Sequence, residues 1–173
     1  MLTPSASDAS VIAAGDNVFQ ICFTDPNQGI GSADYIFNNK IASNVGVIYD
    51  SSNPYSVGIY EKFQSQADAI GLTIATVESF TGDSKSDLST QVTKCQAAGC
   101  DLVFLPIYAA EAAQVLTCAD KIGYDVPFFG CDGLDGILGK VSDPAIAENV
   151  LMLTPFAADS TEADVQSFVA GKV

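Results

Sequence analysis

The stretch 45–71, VGVIYDSSNPYSVGIYEKFQSQADAIG, holds one complete strand–turn–helix unit. Val45 to Tyr49 is a short continuous apolar run, the pattern of a strand covered on both faces. Asn53-Pro54 then supplies a cap and a proline suited to a first helical turn. Ile59, Phe63, Ala67 and Ile70 recur at helical spacing until Gly71 stops them. A buried strand followed directly by an amphipathic helix predicts a right-handed βαβ crossover to a parallel neighbour.

Outward from this stretch the unit repeats. Residues 72–80 alternate apolar with small polar side chains, which suits an edge strand. Leu88, Val92 and Cys95 form a helical stripe ending at Gly99, and 102–105 is again a continuous apolar run. Residues 109–122 read as a helix burying Val115, Leu116 and Ala119 and ending at Gly123, with a strand at 126–129 after it. A looser segment (Leu134, Ile137, Leu138, Val141) leads past Asp143-Pro144 to a last strand near 150–153. Upstream, 17–23 reads as a strand. Asp25-Pro26-Asn27-Gln28 reads as an N-cap, a helix-opening proline and a capping-box glutamine, with a helix to about Asn39. The fold class is α/β, a doubly wound parallel sheet of flavodoxin-like strand order. Strand 45–49 is central, with 72–78 on one side and 102–105 then 127–130 on the other. Ligands of such sheets sit outside the carboxyl ends of the strands at the topological switch point. That point falls between 45–49 and 102–105. Tyr55, Tyr108 and Asp132 each follow one of the strands around it, so the three share one rim.

The chain of 173 residues is 48% hydrophobic, enough for one domain with its own core. Seven basic against 21 acidic residues give a net charge of −14, which repels nucleic acid and anionic membrane surfaces. The acidic residues are scattered, as on a solvated surface. No apolar stretch approaches the roughly 20 residues a membrane-spanning helix needs. The start, Met1-Leu2-Thr3-Pro4, lacks the basic and apolar regions of an export signal. A Ser-rich opening stub and a close at 167–173, in what reads as mid-helix, are expected of an excised domain. Five cysteines (Cys22, Cys95, Cys100, Cys118, Cys131) exclude complete pairing within a monomer. They read as small core residues, with a Cys95–Cys100 bridge the one pairing left open.

The chain has no histidine, which removes Ser-His-Asp and Cys-His nucleophile pairs and all His-ligated metal sites. No CxxC, GxGxxG after a strand, or GxxxxGK[ST] occurs, so no metal, dinucleotide or other cofactor is expected. Gly29-Ile30-Gly31 reads as helix packing. Asp50 follows a strand as a receiver domain's phospho-acceptor would, but the acidic cluster and lysine that chemistry needs are absent. Asp132, in Phe129-Gly130-Cys131-Asp132-Gly133, is a lone carboxylate suited to an ammonium group. Tyr55 and Tyr108 offer ring faces and hydroxyls beside it.

Four runs together carry a resemblance: Cys22-Phe23-Thr24-Asp25-Pro26-Asn27-Gln28-Gly29, the segment 48–58 (IYDSSNPYSVG), Phe104-Leu105-Pro106-Ile107-Tyr108, and 129–133. In order and spacing over about 3–156 they resemble the branched-chain amino acid (Leu/Ile/Val-binding) type of periplasmic solute-binding protein. The resemblance implies two α/β lobes closing on an amino acid, this chain being the second lobe. It places a first-lobe stub and crossover at 1–15, the ligand-binding lobe at 16–155, and a segment returning to the first lobe at 156–173. It implies Tyr55, Tyr108 and Asp132 as ligand contacts, with Asp132 receiving the α-ammonium. Ser5 and Ser7, in the stub, are implied to hold the α-carboxylate. It further implies an ABC importer with a permease partner, no catalysis, and an extracytoplasmic location, periplasmic or lipid-anchored. The membrane is then met only through an anchor outside this chain. The alternative is a ligand-sensing domain of a receptor or regulator with the same fold. Gln20, Asn27 and Ile107 depart from the family's common residues, and Ile107 is expected to narrow the crevice.

Overall fold

In a computed structural model describing residues 1–171, the chain forms a five-stranded parallel sheet between two helical layers, with short appendages at both ends. In chain order the elements are β1 (Leu2–Thr3), α1 (Ser10–Ala13), β2 (Phe19–Gln20), α2 (Asp25–Asn38), β3 (Asn44–Asp50), α3 (Pro54–Ile70), β4 (Thr73–Phe80) and α4 (Ser89–Ala97). They continue with β5 (Leu102–Leu105), α5 (Ala109–Lys121), β6 (Phe128–Gly130), three short 3-10 turns, β7 (Val150–Met152) and α6 (Ala163–Val169).

The strand order is β4-β3-β5-β6-β7, all parallel, which bears out the expected doubly wound arrangement and its switch point. Side-chain alternation along the strands divides the core in two. Val45, Val47, Leu102, Phe104 and Phe129 meet α2 and α3 through Ala33, Ile36, Ile59, Phe63 and Ala67. Ile48, Val103, Leu105 and Phe128 point the other way, onto Leu88, Val92, Val115, Leu116 and Ala119 of the α4–α5 layer. Both faces are covered, which is why β3 and β5 read as unbroken apolar runs. β4 is the expected edge strand: its residues alternate between exposed and half-buried, and Lys94 bridges to its Glu78 at 2.8 Å.

The helix punctuation follows the sequence at α3. The Asn53 side chain accepts the Tyr55 N–H at 3.0 Å, and Gly71 takes the left-handed conformation (φ 81°) that ends the helix. At α2 it is shifted by one residue. Thr24, extended, is the cap and makes no side-chain capping bond, while Asp25 is already helical. Gln28, read as a capping-box residue, turns inward instead. Residues 17–23 are also corrected. Only Phe19–Gln20 pairs, with Leu2–Thr3, in a two-stranded ladder separate from the main sheet. Phe19 and Ile21 are largely exposed, so no second layer covers this run as one covers β3. The strand expected at 126–129 is Phe128–Gly130, and α6 ends at Val169 rather than running on. Residues 172–173 lie outside the described part. All five cysteines are free thiols.

Gly29 sits where α2 crosses α3, as the packing reading required. A Cβ there would lie 2.3 Å from the Ile59 carbonyl oxygen and 2.8 Å from the Phe63 nitrogen, both backbone atoms that cannot swing aside. Gly29→Ala should therefore destabilise the lobe by about 1–3 kcal/mol or more. Gly31→Ala, where the nearest atom is Leu153 Cδ2 at 3.8 Å, should be neutral or gain up to about 1 kcal/mol from helix propensity. Thermal unfolding of the two variants side by side checks this. Equal losses would mean that the helix crossing tolerates a methyl group.

Candidate functional site

Three strand ends build the rim. After β3 a short turn capped by Asn53 starts α3 and places Tyr55 in its first turn, 8% exposed. After β5, Pro106 and Ile107 lead to Tyr108, the N-cap residue of α5, 47% exposed. After β6, Cys131 leads into a 3-10 turn that begins at Asp132. Because the strands are parallel, all three side chains emerge at the same end of the sheet.

They are in contact. The Tyr55 and Tyr108 rings stack with centroids 4.8 Å apart and planes 13° from parallel. The Tyr55 hydroxyl donates to Asp132 Oδ1 at 2.7 Å and accepts the Gly133 N–H at 2.9 Å. A Cβ at Gly133 would come within 2.7 Å of that hydroxyl and 2.8 Å of the Ile107 carbonyl oxygen, so only glycine lets the turn close on Tyr55. Burial and its bond to the Asp132 carboxylate push the Tyr55 phenol far above its ordinary pKa, keeping it a donor at any physiological pH. Burial also raises the Tyr108 phenol, with the carboxylates of Asp25 and Asp132 adding to the shift. The Tyr55 hydroxyl is thus bonded within the rim, orienting Asp132 while its ring backs Tyr108. Tyr108 keeps one ring face and its hydroxyl outward.

Ile107 does not narrow the crevice. It is 2% exposed and packs into the α4–α5 core. Ser7 lies beside the rim: its carbonyl accepts the Asp25 N–H at 3.0 Å, and its hydroxyl faces the Asp25 carboxylate. Ser5 is exposed and makes no side-chain hydrogen bond among the described residues.

Two residues went unread as site residues. Gln28, wholly buried, accepts the Asp132 N–H through Oε1 at 3.2 Å, holding the rim turn from below. Asp25, 1% exposed, faces the same cluster. Their signal was available: Asp25, Gln28 and Ser32 fall at i, i+3 and i+7, on the stripe that also carries the buried Gly29, Ala33 and Ile36. Polar residues on a buried helical stripe need partners.

Two hollows lie elsewhere. One of about 640 Å³ lies around Leu88, Gln114 and Lys121, and another of about 430 Å³ surrounds Tyr124, Phe128 and Asn149 at the opposite end of the strands. Neither lies at the carboxyl ends of the strands beside the switch point, as the rim does. Among the described residues no group of acidic, cysteine or histidine side chains is arranged to hold a metal, and no helix is long and apolar enough to cross a membrane.

Sheet order and layering define a lobe of the type I periplasmic-binding-protein fold. Residues 1–171 match the periplasmic binding protein family, and the chain belongs to it. It is 32% identical over 135 residues to Leu/Ile/Val-binding protein homolog 3 of Brucella melitensis, covering 78% of this chain and 36% of that protein. It is 29% identical over 178 residues to an amino acid binding protein of Pseudomonas aeruginosa, covering 98% of this chain and 46% of the relative. Two solved structures share the fold at 24% identity and TM-score 0.86. A leucine binding protein of Thermotoga maritima matches 99% of this chain and 49% of its own. The branched-chain amino acid transporter substrate binding protein of Streptococcus pneumoniae, in complex with isoleucine, matches 98% and 48%. The chain spans less than half the length of each of these relatives.

Proposed function

We propose that this chain is one lobe of the extracytoplasmic substrate-binding component of an ABC importer, binding a small amino acid between two lobes without catalysis. The observation that carries the proposal is Asp132, held by the Tyr55 hydroxyl at the switch point beside the stacked pair Tyr55–Tyr108. A half-buried, oriented carboxylate is a strong acceptor for an ammonium, and a ring face suits an aliphatic side chain. Tyr55, Tyr108, Asp132, Ser7 and Ser5 are the proposed ligand contacts, Tyr55 acting mainly through Asp132. The resemblance to leucine- and isoleucine-binding relatives supports an aliphatic amino acid.

The end segments fit the same proposal. Leu2, Ile12, Phe19, Ile21, Phe156 and Phe168 are all exposed, as side chains are that pack on a lobe outside this chain. In this reading 1–15 is the stub of that lobe with its crossover, 16–155 the ligand-binding lobe, and 156–173 the return. The permease is the protein partner, and the membrane is reached through an anchor outside the chain.

A thermal-shift screen of amino acids and sugars tests the proposal, run on the full-length protein and on this chain alone. A ligand at 100 times its Kd adds about 2.7 kcal/mol to the form that binds it. Stabilisation of the full-length protein by aliphatic amino acids, with none in this chain, is the expected result. Response to sugars only would overturn it.

A further inference from the structure

The turn that ends α4 brings two cysteines together. The Gly99 N–H donates to the Gln96 carbonyl at 3.0 Å and the Cys100 N–H to the Cys95 carbonyl at 3.2 Å, with Gly99 left-handed at φ 69°. This is the Schellman arrangement, in which the residues joined by the outer bond turn their side chains toward each other. Those residues are Cys95 and Cys100. Their thiols face one another, and the bond between their backbones draws the two Cα atoms together, as a disulfide requires. The strand beneath leaves room for both sulfurs. Gly46 interrupts the apolar run of β3, and a Cβ there would lie 3.0 Å from Cys95 Sγ and 3.0 Å from Cys100 Sγ. The pair is buried between the sheet and the α4–α5 layer, at 0% and 4% exposure, and the Tyr124 hydroxyl donates to the Cys100 carbonyl at 2.8 Å. The other thiols lie apart from this pair. Cys131 packs in the α2–α3 core with its sulfur 3.7 Å from Ser32 Oγ, Cys22 lies by Ala6 in the N-terminal segment, and Cys118 borders the hollow around Leu88.

We propose that Cys95 and Cys100 are a disulfide-forming pair whose bridge staples the end of α4 to the start of β5. The inference goes beyond the amino-acid reading and does not depend on it. The oxidant is another disulfide, of low molecular weight or carried by a thiol oxidoreductase. The thiolate of one cysteine attacks its S–S bond and expels one thiol, and the second cysteine attacks the mixed disulfide and expels the other. One S–S bond breaks in the oxidant and one forms in the protein, while two electrons and two protons pass to the oxidant. Burial raises both thiols, Cys95 to about 12, so the closed core supplies almost no thiolate at neutral pH. The bridge therefore forms while the 95–100 turn is open, during folding, and the closed core then shields it from reductants.

The test is refolding of this chain from denaturant in a buffer of oxidised and reduced glutathione. Free thiols are then blocked with one alkylating reagent, the protein is reduced, and the released thiols are labelled with a second. Peptide mass spectrometry should find the second label at Cys95 and Cys100 in most molecules and the first at Cys22, Cys118 and Cys131. Before reduction, the unblocked protein should weigh two hydrogens less than the all-thiol form. Refolded with dithiothreitol instead, the chain should melt lower by at least about 4 °C, the loop-closure effect of so short a bridge in a chain of this size. Cys100→Ala should melt alike in the two buffers. The first label at Cys95 and Cys100 overturns the inference, as does a bridge from either to a different cysteine or a glutathione adduct in place of the bridge. A bridged form that melts no higher than the reduced form overturns the stapling role. Ligand enters none of these readouts, so the amino-acid reading stands or falls by its own screen.

Discussion

Asp132→Asn in the full-length protein should weaken amino-acid binding by about 2–5 kcal/mol, the usual consequence of truncating one partner of a buried charge pair. The substitution is informative because it alters almost nothing but charge. The asparagine carbonyl oxygen can still accept the Tyr55 hydroxyl at the 2.7 Å position of Oδ1, and the backbone N–H at 132 still reaches Gln28. Folding should therefore be unaffected; calorimetry should read the loss in affinity, and stopped-flow kinetics should place it in the dissociation rate. Tyr55→Phe is the companion variant. It keeps the ring stacked on Tyr108 but removes the bonds to Asp132 and Gly133, so it should cost less than Asp132→Asn while acting through the same carboxylate. In the double variant the two losses should be less than additive, as for any coupled pair. Retention of affinity within about 0.5 kcal/mol in Asp132→Asn would remove the ammonium from this residue, since even the weakest truncation of such a pair costs several times that.

Phe104→Ala should cost the lobe about 3–5 kcal/mol, the range for emptying a buried aromatic site. Phe104 is fully buried on β5, stacked on Phe63 of α3 at 4.0 Å and tilted against Phe129 of β6 at 6.3 Å. It joins the central strand, its neighbour and the α2–α3 layer at one point, so collapse around the cavity would require three elements to shift together. At about 2–4 °C per kcal/mol for a chain of this size, the melting temperature of this chain should fall by at least about 6 °C. Denaturant titration by circular dichroism checks the value. A loss under about 1 kcal/mol would mean that the cluster repacks around the gap.

Continuous apolar runs at 45–49 and 102–105, each followed by an amphipathic helix ending in glycine, identify a parallel sheet covered on both faces before any coordinate is known. The strand order then follows from right-handed crossovers, and with it the end of the sheet at which Tyr55, Tyr108 and Asp132 emerge. Each of these inferences depends on local chain geometry: side-chain period, cap chemistry and crossover hand. Where the local signal misled, at 17–23, the apolar residues have no layer to bury them, and the run pairs for only two residues. At Asp25 the cap rules selected the right helix one residue late.

By itself the sequence determined the fold class, the switch point and which residues border it, because those follow from periodicity and connectivity along the chain. The tertiary structure alone decided how the border residues are used. It turned the Tyr55 hydroxyl onto Asp132, aimed Gln28 at the Asp132 backbone, sent Ile107 into the core, and buried the Asp25 carboxylate facing the same cluster. These outcomes join residues as far as 104 positions apart, and hydrogen-bond partnership over that distance is set by how layers pack, not by any pattern readable along the chain.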